Sequence, residues 1–177
     1  MGDTQPRRLE EILARELGLI LAIGGLALVQ VTLLRTPLGF SAPLIMVLAI
    51  CRSLIGVSSA FPDSGIIRGI RWGFYGGLTL DVLAATPLGS HVLAILLATL
   101  MITASTRRMR IEGPLLPLLT MLSASLIYEI VMALLLQPSP IDWTSTAQVA
   151  LIPGVLAALI MTLPVFFVLR WFLREQL

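Results

Sequence analysis

The chain is expected to be an all-α polytopic membrane protein of six transmembrane helices with both termini cytoplasmic, on three observations. Of its 177 residues 57% are hydrophobic and 12% charged, about half the charge of an average soluble domain. The apolar residues form long continuous runs, most of them close to the roughly 20 residues a helix needs to cross a bilayer. The arginines gather almost entirely on one side of those runs. This composition excludes a soluble globular domain, a disordered chain and a nucleic-acid binder. Continuous runs, as opposed to short alternating segments, exclude an outer-membrane barrel.

The first span is read from about Leu17 to Leu34, and the second from near Leu38 to about Ser53 or Gly56. The third, about Ile66 to Ala84, is less apolar where it begins because Arg68 and Arg71 stand there. A fourth covers about Leu88 to Ala104, a fifth Pro114 to Leu136 and a sixth about Ala147 to Leu169. Pro114 suits a first helical turn, where its missing N–H is no loss. Pro153 and Pro164 are expected to kink the sixth span, which lipid tolerates only where neighbouring groups satisfy the freed carbonyls.

Residues 17–177 thus form one six-helix transmembrane domain, and residues 1–16 a cytoplasmic juxtamembrane segment. In RRLEEILARELG, Leu9, Ile12, Leu13 and Leu17 share one helical face. That pattern fits either a short amphipathic helix on the membrane surface or an extension of the first span. The N-terminus is not expected to be a cleavable signal, because the apolar run is too long and no small-x-small site follows it.

All twelve basic residues are arginine, and eleven fall on one side of a six-span topology, leaving Arg35 alone on the other. The positive-inside rule makes the crowded side cytoplasmic. Lipid anchoring is the plain use of that basic face, and Arg52 is expected to snorkel to the inner interface. Cys51 is the only cysteine and His91 the only histidine, which leaves no intrachain disulfide, no cysteine metal cluster and no HExxH chemistry.

Charges inside the spans carry more information, since each needs a partner or a use. Asp81 near the outer end of the third span, His91 at the start of the fourth, Glu129 in the fifth and external Arg35 are expected at similar depth. Asp81 lies near a helix C-terminus, where the macrodipole disfavours an anion. Arg35 is therefore expected to pair with Asp81 or Glu129; the competing use is a polar site for a substrate or a partner helix. Gly69, Gly73 and Gly77 precede Asp81 at intervals of four, a stripe that permits close helix approach. It serves either packing within the bundle or docking of another protein's span, with Gly24 and Gly25 a weaker second candidate. Between Asp81 and His91, the segment DVLAATPLGSH is a short uncharged turn with Pro87 and Gly89 as turn residues. Ser90 beside His91 does not make a hydrolase, because adjacent helical positions diverge and no oxyanion-hole motif is present.

The stretch GFYGGLTLDVLAATPLG, Gly73 to Gly89, resembles the segment of the rod shape-determining MreD family that reads roughly G-F-x-x-G-L-x-x-D followed by P-L-G. Gly73, Phe74, Gly77, Leu78, Asp81, Pro87, Leu88 and Gly89 fit it. Length, span number and short loops extend the resemblance over nearly the whole chain. It implies a non-enzymatic scaffold of the bacterial cell-elongation machinery in the inner membrane, with no cofactor. The partners it implies are the single-span MreC and, in a larger assembly, MreB, RodA and a class B penicillin-binding protein. The family is similar in architecture to the S components of energy-coupling-factor vitamin transporters, which supplies the alternative of a vitamin-binding subunit. A proton-coupled carrier using Asp81 and Glu129 is a third class, for which two carboxylates without an inverted repeat are weak support.

Overall fold

The computed structural model describes residues 5–32, 43–57, 62–106, 115–137 and 142–172. Arg35, Pro114 and the arginines at 107, 108, 110 and 174 lie outside the described residues, so the pairing expected of Arg35 does too. The described chain is helical throughout its regular structure: α1 Gln5–Thr32, α2 Leu44–Val57, α3 Pro62–Leu83, α4 Ser90–Thr106, α5 Leu115–Leu136 and α6 Trp143–Phe172.

Helix α2 is the centre, and its sequence explains why. Met46, Val47, Ala49, Ile50 and Cys51 are all at most 1% exposed; a helix apolar all round belongs inside a protein. It touches each of the other five helices, while α1 packs only on α2 and α3 along the flank. With 14 residues it is about 21 Å long, shorter than the roughly 30 Å hydrocarbon layer. Three helices are long and apolar enough to cross a membrane: Leu9–Thr32, Leu115–Leu136 and Trp143–Phe172. Their outward faces are apolar, with Leu21, Leu134 and Ile160 well exposed, as lipid contact requires.

Buried hydroxyls are satisfied within their own helices. Thr99, Thr103 and Thr106 of α4 each donate to the carbonyl four residues earlier, at 2.7 to 2.9 Å, as do Thr120, Ser125 and Thr162 on α5 and α6. In a medium without water this internal pairing is the condition for burying them. Gln30 of α1, 2% exposed, instead crosses to α2 and accepts from the Ile45 backbone N–H at 2.9 Å, capping the first turn of the central helix.

Two boundaries differ from expectation. α1 runs unbroken from Gln5 to Thr32, so the residues before Leu17 continue the helix instead of turning away from it. α6 begins four residues before the expected Ala147, because Asp142 accepts from the backbone N–H groups of Thr144 and Ser145 and fixes an earlier start. Where Pro153 removes a donor, the helix widens into a π segment, Ala147–Leu151, and Ile152 N–H reaches back to Ala147. That is how α6 accommodates the proline ring next to the preceding turn.

Candidate functional site

Six residues, Ala84 to Gly89, reverse the chain between α3 and α4. Ala85 takes the left-handed conformation (φ 53°) and so does Gly89 (φ 97°), where glycine carries no Cβ penalty. Pro87 offers its carbonyl to the Ser90 backbone N–H at 3.1 Å and to the Ser90 hydroxyl at 2.8 Å. Leu88 projects from the turn, 75% exposed.

The turn is so short that the C-terminus of α3 lies against the N-terminus of α4, and Asp81 spans the junction. Its carboxylate, with no exposed surface, accepts from Gly89 N–H at 2.8 Å, His91 N–H at 2.9 Å and the Thr86 hydroxyl at 3.0 Å. His91 Nδ1 is 2.8 Å from Asp81 Oδ1 and 3.2 Å from Thr86 Oγ1. A carboxylate can only accept, so Nδ1 carries the proton and faces the anion. The compensation expected from a cation is thus supplied, among the described residues, by the positive end of α4 together with His91 and Thr86.

Glu129 is close in the fold but faces elsewhere. Tyr128 of α5 meets the His91 ring at 6.2 Å between centroids, and its neighbour Glu129 lies against α6 at Gly154. A Cβ on Gly154 would collide with the Glu129 carboxylate. The cluster expected as one polar group is therefore two: Asp81, Thr86 and His91 with Tyr128, and separately Glu129 with Gly154.

The glycine stripe is occupied within the bundle, which corrects its expected use as a docking face for another protein's span. A Cβ at Gly69 would strike Ser53 of α2, and one at Gly73 would lie 2.9 Å from Ile95 of α4 and 3.6 Å from Ala49 of α2. At Gly77 it would lie 2.6 Å from Val92 Cα and 2.7 Å from Val92 N, so the α4 backbone passes directly over that glycine. Gly76, which the stripe omits, is equally close to Ile45 of α2. Of the weaker candidates on α1, Gly24 meets Thr79 at 3.8 Å and Gly25 faces open space.

Sequence reading missed Thr86, Tyr128, Gly154 and Gln30. Only Gln30, an amide inside an apolar run, carried a visible signal. Among the described residues no group of three or more His, Cys, Asp or Glu side chains could hold a metal ion. The arrangement binds helices to one another; it presents no exposed nucleophile and base.

The family model for the rod shape-determining protein MreD matches residues 17–174. No curated protein and no solved structure matches the chain.

Proposed function

The chain belongs to the family of the rod shape-determining protein MreD, and from that premise we propose that it is a non-enzymatic scaffold of the cell-elongation complex. It crosses the bacterial inner membrane six times with both termini cytoplasmic, binds the single-span MreC, and through it helps position RodA, a class B penicillin-binding protein and MreB in peptidoglycan synthesis. The observation that carries this reading is the family match over nearly the whole chain. The interior agrees with it, because its polar groups are used to lock helices together. Asp81 ties α3 to α4, Gln30 ties α1 to α2, and Arg71 pairs with Glu16 between α3 and α1.

A body held this way can set the orientation of a partner helix. With the stripe of α3 covered by α2 and α4, the partner must use an outer face. The vitamin-binding alternative needs outward polar groups aimed at a ligand, whereas Asp81 is enclosed and its oxygens are held by the turn.

The test is gentle solubilisation from native membranes with mass spectrometry of what co-purifies. Recovery of a single-span MreC-like protein with cell-wall synthases is expected. Recovery of an ABC-type ATPase pair with a transmembrane coupling subunit contradicts the scaffold and restores the transporter reading.

A further inference from the structure

At the arginine-rich end of the bundle, α1, α2 and α3 enclose a cavity of about 530 Å³, within the roughly 300–1,000 Å³ of small-ligand sites. Its lining is Ile12, Arg15, Glu16 and Leu19 of α1, Arg52 of α2, and Arg68, Arg71 and Trp72 of α3. Four guanidinium groups thus face one carboxylate, and Glu16 is already held by Arg71.

Arg52 is the telling residue. It is 5% exposed, and among the described residues it forms no hydrogen bond or ion pair. Long basic side chains at membrane boundaries ordinarily reach for water; this one is enclosed between helices, with Arg68 adding like charge to the same cavity. A buried charge without a counter-charge is strongly unfavourable. Its burial calls for an anion in the cavity, and several guanidinium groups around one space suit phosphate oxygens.

We propose that this cavity binds the phosphate headgroup of an anionic phospholipid from the inner leaflet, with Arg52 as its innermost contact and Arg15 and Arg68 around it. The apolar part of the lining selects a lipid over a soluble phosphate or an acidic peptide. Ile12, Leu19 and Trp72 stand beside the arginines, and Trp72 also borders a narrow apolar crevice formed with Ile23, Leu26, Ile45 and Leu48. Along α1 the cavity lies where the chain passes from a charged to an apolar stretch, the level at which a headgroup meets its acyl chains. Basic pockets between helices on this side are suited to such headgroups.

The experiment uses the full chain, delipidated in neutral detergent, with thermal unfolding followed as lipid is added. Phosphatidylglycerol should raise the midpoint and phosphatidylcholine should not. Arg52→Gln should shift the phosphatidylglycerol titration by about tenfold, the loss of one charge-assisted contact. The same substitution should raise the midpoint of the lipid-free protein, since it removes an uncompensated charge. Arg170→Gln, on the exposed last turn of α6, should leave the titration unchanged. Arg15→Gln, at an exposed position of the lining, provides a second weakened variant should Arg52→Gln fail to fold.

Equal weakening by Arg52→Gln and Arg170→Gln would overturn the site in favour of general surface charge. An equal rise with inorganic phosphate would overturn the lipid as its source. A midpoint insensitive to phosphatidylglycerol would also overturn it and leave an acidic peptide as the occupant to seek.

Discussion

Two buried charges, one near each end of the helix bundle, have opposite surroundings. Asp81 closes the α3–α4 turn with two backbone donors, a hydroxyl and an imidazole, all supplied within ten residues of chain. Arg52, on the central helix, has no such set; it faces a cavity shared with three further arginines. A polar group supplied by its own neighbourhood is architecture, whatever its charge. One left without a partner by the same fold points outward to something that must arrive. The default reading of an intramembrane charge as functional therefore separates these two residues by their partners and not by their burial, which is nearly the same.

The comparison can be broken most severely at Gly77. Substitution by leucine puts side-chain atoms where Val92 backbone lies and should cost about 3 kcal/mol. Size-exclusion chromatography in detergent should show loss of the folded monomer. An intact monomer that merely releases a partner helix would return the stripe to intermolecular use.

Asp81→Ala should come next or equal it, at about 3 kcal/mol, because it leaves buried donors at Gly89 and His91 unpaired. Asp81→Asn keeps an acceptor and should lose less. Chemical denaturation in a fixed detergent checks both.

Gly154→Ala should cost about 1 kcal/mol, since the Glu129 side chain is long enough to yield. Adding Glu129→Ala should recover most of that loss, and failure to recover would show that the two do not share the space. The smallest effect has the opposite sign. Ala85 occupies a left-handed conformation, so Ala85→Gly should stabilise the turn by about 1 kcal/mol.

Much of this was legible in the sequence, unevenly and for physical reasons. The helical membrane class follows from run length and composition. The turn is readable from Asp81, Pro87, Gly89 and His91, because turn chemistry is local. The partners of Asp81 were not, since treating α3 alone gives a C-terminal anion in need of a cation, and the remedy is the N-terminus of the next helix. Spacing likewise shows that Gly73 and Gly77 make a face but not which helix covers it. Thr86, Tyr128 and Gly154 are ordinary residues whose roles arise only when helices meet. Arg52 was expected to snorkel as arginines near a helix end do. That expectation failed because α2 is short and enclosed by other helices.

The most direct measurement compares Asp81→Asn with Arg52→Gln by thermal unfolding, each with and without phosphatidylglycerol. Asp81→Asn should lower the midpoint by a similar amount in both conditions and keep the lipid-induced rise. Arg52→Gln should raise the lipid-free midpoint and lose most of that rise. If both substitutions instead lower the midpoint equally in both conditions, the two charges are alike and the distinction drawn between the ends of the bundle is wrong.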